Sequence, residues 1–184
     1  MIVVLDANML VYLFDEKANP PLSKATGQPV DRCKERLDHL VASLAKDKAK
    51  IIVPTPALAE VLVYAQQGAP ERLNIIKTSK HFRVAPFDER AAVEFAAAQA
   101  NGRGSTPRAK AKFDDQIIAI AAVEQATVIY SDDEDIAKRA GSRFQVIGID
   151  ALALPPEDAQ QDLFKDAQSA SLSNEDTEDG SSDR

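Results

Sequence analysis

Short, mostly apolar runs alternate with stretches of helical spacing from the first residues through Ile147, and few architectures accommodate that rhythm. The runs are Ile2–Leu5, Ile51–Val53, Phe82–Phe87, Thr127–Tyr130 and Phe144–Ile147. None shows the inward–outward alternation of a half-exposed strand, so each is predicted to be a strand buried on both faces. Between them, residues 7–14 suit a helix. Val30–Lys48 places Cys33, Leu37, Leu40, Val41 and Leu44 on one helical face. Thr55 as N-cap followed by Pro56 opens a helix that carries Glu60, and Glu71–Lys80 is a further short helix. Asp88 caps an alanine-rich helix to about Ala100, Asp114 or Asp115 starts an apolar helix to about Gln125, and residues 134–140 form a helix closed by Gly141. Glu16–Pro29 is a loop rich in proline, and Asn101–Lys112 is a loop or a frayed helix start. Strand and helix in alternation predict an α/β domain with a mainly parallel sheet of about five strands, covered on both faces.

At 184 residues the chain suffices for one full domain. No apolar run reaches the roughly 20 residues of a membrane helix, and MIVVLDANML lacks the basic start and small-residue cleavage site of a signal peptide. Cys33 is the single cysteine, which rules out an internal disulfide and a cysteine-based zinc site, so a cytoplasmic protein without membrane contact is expected. The net charge of −7 is concentrated at the C-terminus. From Pro155 onward nine Asp and Glu stand against Lys165 and Arg184, which leaves residues 1–154 formally neutral. Two regions follow: a folded domain over 1–154 and an acidic tail over 155–184, expected to be largely disordered with at most a transient helical turn over Asp162–Ser169. The acidity therefore does not weigh against a nucleic-acid partner.

Four acids sit where a carboxylate is costly unless its charge is compensated. Asp6 interrupts IVVLDANML, Glu60 interrupts PALAEVLVY, Asp115 opens DQIIAIAAV, and Asp133 follows TVIY within SDDEDI. Buried carboxylates pair, protonate or hold a metal, and several converging on one point call for a divalent cation. In parallel α/β sheets ligands gather beyond the carboxyl ends of the strands, where the strand order reverses. Strands one and four side by side at the sheet centre would bring these positions together. Such a group points to metal-assisted phosphodiester chemistry. Asn8 is placed to orient Asp6 or a metal-bound water, and Ser131 to do the same for Asp133. Asp135 is an outer acid, while Asp132 and Glu134 are expected at the surface as a solvated helix start. Asp6 also stands where an N-cap would, and capping alone is its simplest structural role. Arg103, Arg108, Lys110 and Lys112 lead into Asp115 and are the candidates for phosphate-backbone contact, against the alternative of a merely solvated loop. His39, His81 and Cys33 are taken as structural, and Met9, Tyr12 and Phe14 as packing residues.

In their order and spacing, VLDANML, PTPALAEVL and DQIIAIAAVEQATVIYSDDEDI resemble the PIN-domain ribonucleases, and particularly their VapC-like toxin branch. The resemblance spans about residues 1–148, with Glu16–Pro29 longer than the first loop of compact members. It implies a three-layer α/β/α domain in which Asp6, Glu60, Asp115 and Asp133 bind Mg²⁺ or Mn²⁺ and hydrolyse RNA. It also selects Asp115 over Asp114 as ligand, leaving Asp114 as N-cap, and implies a homodimer and a cognate antitoxin that enters the acidic groove. Two other functions compete: a PIN-like module with a degraded site that only binds RNA or protein, and a DNA-directed nuclease. A phosphatase using Asp6 as nucleophile is disfavoured, because Asn8 stands where a second Asp is wanted.

Overall fold

The strand that opens the chain becomes the centre of the sheet. The computed structural model describes residues 1–100 and 108–156. In it β1 (Ile2–Leu5) lies between β2 (Lys50–Pro54) and β4 (Val128–Tyr130), with β3 (Phe82–Ala85) beyond β2 and β5 (Gln145–Ile147) beyond β4. The order is β3-β2-β1-β4-β5 and every pairing is parallel. Val3, Val4, Leu5, Ile51, Ile52, Val53 and Ile129 are completely buried, as expected of apolar runs with no polar face, whereas the edge strands β3 and β5 are only partly buried and leave Arg83 and Gln145 exposed. The expected adjacency of the first and fourth strands is present, with Leu5 opposite Tyr130.

Among the described residues seven α-helices connect the strands: α1 (Ala7–Phe14), α2 (Cys33–Lys46), α3 (Thr55–Ala65), α4 (Ala69–Thr78), α5 (Glu89–Ala100), α6 (Arg108–Val123) and α7 (Glu134–Ala140). Parallel crossovers are right-handed. The path β1–β2–β3 runs one way across the sheet and β3–β4–β5 runs back, so the two sets of helices cover opposite faces and the expected three-layer α/β/α architecture results. The chain leaves β1 on one side and returns through β4 on the other, which makes the β1/β4 crevice the topological switch point. Met1–Ala153 pack as one unit. No helix among the described residues is long and apolar enough to cross a membrane.

Several boundaries differ from expectation for identifiable reasons. The helix predicted over Val30–Lys48 begins only at Cys33, because Val30 closes the preceding loop by donating its amide to Pro21 and Arg32 takes a left-handed conformation. β3 ends at Ala85, since Pro86 has no amide to continue the ladder. Thr55 is not an N-cap: Pro54 occupies that position, and Thr55 Oγ1 accepts from the Phe87 amide at 3.1 Å, tying α3 to the end of β3. Asp88 does cap α5, its Oδ1 accepting from the Ala91 amide at 3.0 Å. The largest change concerns α6, which starts at Arg108 and therefore absorbs the end of the expected loop and both aspartates. Asp114 is thus a mid-helix residue, not a cap.

The long first loop is held in place. Leu22 and Pro29 form a bridge, and Ser23 Oγ donates to Asp150 Oδ2 at 2.7 Å, in the turn that follows β5. Met9 is fully buried, Tyr12 and Phe14 pack against the core, and Cys33 is partly buried with its thiol directed to the Val30 carbonyl. His39 and His81 are half-buried. The tail expectations for residues 157–184 fall outside the described residues.

Candidate active site

The carboxyl ends of β1 and β4 are joined by one hydroxyl. Asp6 follows β1 with its amide donating to the Tyr130 carbonyl, and Ser131 follows β4 with its amide donating to Ile147. Both are buried, at 5% and 3% exposure. Ser131 Oγ donates to Asp6 Oδ2 at 2.7 Å and accepts from the Asp133 amide at 3.0 Å. Asp133 in turn is the N-cap of α7, its Oδ1 accepting from the Asp135 amide at 2.7 Å. Asp6, by contrast, makes no side-chain capping bond to α1, so capping alone does not account for it. Burial pushes the Asp6 carboxyl up to about 6 against the pull of the Ser131 hydrogen bond, and the charges of Glu60 and Asp133 add to the rise. Three of the four expected acids therefore share one electrostatic neighbourhood.

Glu60 reaches that neighbourhood from an unexpected environment. It is exposed, as are Ala59 and Val63, the latter at 78%. Its apolar neighbours in sequence do not enclose it, because α3 buries Ala57, Leu58 and Val61 on one face while Glu60 turns out from it. The premise that Glu60 is crowded away from solvent is thus wrong. It lines an open cavity of about 370 Å³ with Ala7, Asn8, Tyr12, Asn19 and Tyr64. Within it the Asn8 Oδ1 is buried and accepts no hydrogen bond. Tyr64 is half exposed, and its hydroxyl donates to Asp15 at 2.8 Å.

Asp115 has a different set of partners. Arg139 Nη1, from α7, donates to Asp115 Oδ1 at 3.0 Å and Oδ2 at 3.1 Å, and Gln99 Nε2, from α5, donates to Oδ2 at 2.6 Å. Asp114, 6% exposed, has its Oδ2 3.9 Å from Arg139 Nε. Arg139 and Gln99 did not emerge from the sequence. The only available hint was the placement of a cation in the last turn of a helix that begins with acids.

Two further expectations need correction or limits. Asp132 is not a solvated surface residue: its Oδ1 accepts from the Ile149 amide at 2.8 Å, and burial pushes its carboxyl upward. The reason is close packing with Gly148, where a Cβ would lie 2.7 Å from that oxygen. Glu134 is exposed as expected and pairs with Lys24 and Lys138. Arg103 lies outside the described residues, and Arg108, Lys110 and Lys112 fall in the first turns of α6.

The family model for the PIN domain matches residues 29–142. This chain belongs to the PIN-domain family. The matched span contains Glu60, Asp115 and Asp133 and begins after Asp6. Solved structures share the fold. A chain of the Rickettsia felis VapBC2 complex bound to promoter DNA aligns at TM-score 0.57 and 15% identity, over 80% of this chain and 98% of that one. Mycobacterium tuberculosis VapC20, described as a toxin cleaving the sarcin–ricin loop, aligns at 0.53 and 13%, over 74% and 93%. A chain of the DNA-bound Salmonella typhimurium VapBC complex aligns at 0.52 and 13%, over 81% and 98%. No curated protein matches significantly. At these identities the structures establish that this PIN domain has the fold of VapC-type toxins, and family membership supports a nuclease class of activity.

The donor chemistry of the crevice fits a hard divalent cation in kind: carboxylates of Asp6, Glu60 and Asp133 with an unoccupied amide oxygen on Asn8. The spacing is more open than a coordination cage. Among the described residues no three His, Cys, Asp or Glu side chains are gathered closely enough to hold an ion together.

Proposed function

We propose that this PIN domain is a metal-dependent endoribonuclease acting as the toxin of a toxin–antitoxin pair. The observation that carries the reading is Asp6: a buried carboxyl held near 6 at the β1/β4 switch point, under the charges of Glu60 and Asp133. A carboxylate left in that position without a cation is a burden to the fold, and function is the usual reason for such a site. Asp6, Glu60 and Asp133 are the residues to hold Mg²⁺ or Mn²⁺, with Asp115 as the fourth acid. When bound, the ion supplies a water of lowered pKa and neutralises charge on the phosphoryl oxygens. Ser131 fixes the rotamer of Asp6 and the backbone of Asp133 through its two hydrogen bonds. Asn8 directs its amide to the ion or to a water beside it. Arg108, Lys110 and Lys112, with Arg103, form the phosphate-contacting stretch that leads into Asp115.

The toxin assignment rests on the neighbours' own descriptions, a sarcin–ricin-loop-cleaving toxin and two VapBC complexes. It brings with it RNA as substrate, a cognate antitoxin, a homodimer and a cytoplasmic setting. A second reading, a PIN-fold module that binds RNA without cutting it, is favoured by the engagement of Asp115 with Arg139.

Purified protein incubated with a defined RNA pool, and in parallel with a DNA of the same sequence, separates these readings. Internal RNA cuts that appear with Mn²⁺ and stop with EDTA support the ribonuclease. RNA retained but intact in Mn²⁺ favours the binding module, and cuts confined to DNA assign the chain to DNA-directed nucleases.

A further inference from the structure

Asp115 holds more hydrogen bonds than a carboxylate waiting for a metal needs. A carboxylate offers about four acceptor positions. Arg139 and Gln99 take three contacts on it, one on Oδ1 and two on Oδ2. The ion pair is well shielded, with the Arg139 side chain 11% exposed and that of Asp115 16%. The same guanidinium stands 3.9 Å from the buried Asp114, so one cation serves two adjacent acids. It also comes from α7, the helix whose N-cap is Asp133. The residue that neutralises the fourth acid is therefore built on the same short helix that presents the third.

The geometry points to Arg139 as an internal competitor for the divalent cation: it holds Asp115 in the metal-free protein and has to be displaced before Asp115 can join an ion. This rests on the metal-site reading above. A guanidinium in contact with both carboxylate oxygens leaves poor access to them and repels a dication. Asp6 lies under the charges of Glu60 and Asp133, while Asp115 is held by the protein's own positive charge. Arg139 is in this sense a positioning residue, and it sets the metal concentration at which the full acidic site assembles.

The test is Mn²⁺ binding to the metal-free full chain by titration calorimetry, with no substrate present. Arg139→Met keeps the aliphatic packing and removes the charge. It is expected to bind Mn²⁺ about tenfold or more tightly than the wild type, the factor that one charge-assisted hydrogen bond surrendered on binding is worth. Arg139→Lys, which retains the charge, stays near the wild type. In the Arg139→Met/Asp115→Asn double variant the gain disappears. Thermal unfolding supplies a second readout: metal-free Arg139→Met melts lower than the wild type, and Mn²⁺ raises its Tm by more than it raises the wild type's. Should Arg139→Met fail to fold, Arg139→Gln, which keeps an amide against Asp115, carries the same expectation. An unchanged or weaker Mn²⁺ affinity in the charge-removing variants overturns the inference alone if the wild type binds Mn²⁺ and cuts RNA. Absence of Mn²⁺ binding in every variant and in the wild type overturns it together with the metal-site reading.

Discussion

Ser131 Oγ donates to Asp6 Oδ2 at 2.7 Å, and this bond is the direct side-chain link between the ends of β1 and β4. The two residues are 125 positions apart in sequence, and their bond is fully buried. The same oxygen accepts from the Asp133 amide, so a single hydroxyl sets the spacing between two of the acids.

Ser131→Ala is expected to cost about 1–3 kcal/mol of stability, since it removes the side-chain hydrogen-bond donor to a buried carboxyl. Ser131→Thr keeps the hydroxyl and should lose less. Urea unfolding of the three proteins decides it, and equal midpoints for the serine and alanine forms would show that the bond contributes nothing.

The pH dependence of metal-free stability should carry the signature of Asp6. Its carboxyl is raised from 3.8 to about 6, so the folded chain binds this proton more tightly than the unfolded chain. The favourable contribution is complete below about pH 4. It is lost as pH rises through about 6, up to ~3 kcal/mol from this one group. Asp6→Asn abolishes that dependence. Measured in EDTA, the variant's stability relative to the wild type should improve between pH 4 and pH 8. A constant difference across that interval would mean the Asp6 carboxyl is not perturbed.

Asp6→Asn and Asp115→Asn should each abolish Mn²⁺-dependent RNA cleavage while the circular dichroism spectrum is retained. For Asp6 the variant is expected to melt no lower than the wild type at neutral pH, because it removes a buried negative charge beside Glu60 and Asp133. Wild-type-like cleavage by either variant counts directly against the assignment of that acid.

Gly148→Ala is expected to destabilise the domain by about 1–3 kcal/mol through overpacking. An added Cβ would meet Asp132 Oδ1 at 2.7 Å, while that oxygen is engaged by the Ile149 amide. Combining it with Asp132→Ala should recover part of the loss. Additive losses in the double variant would place the strain elsewhere.

The strands were legible because a run such as IVVL has no polar face to expose and can be satisfied only inside a covered parallel sheet. Helix ends were less so. The start of α6 lay in a segment containing glycine and proline that reads as a loop, and the Thr106-Pro107 pair, a start signal of the kind used at Thr55-Pro56, was passed over, so Asp114 was misplaced as a cap. Glu60 shows the limit of local apolar context: flanking residues on a helix point in different directions, and only the packing of α3 determines which of them meet the core. Asp132 fails in the opposite sense, because its burial depends on Gly148, in a segment that arrives from beyond β5.

Composition and periodicity alone determined that this chain builds a covered parallel sheet and that its acids fall at the ends of strands or on the helices beside them. Which acids face one another, and which face a cation, was decided only by tertiary packing. A carboxylate's state depends on groups within a few ångströms, and for Asp6 and Asp115 those groups, Ser131 and Arg139, come from distant stretches of the chain brought close by the β1–β4 pairing and by the packing of α7 on α6.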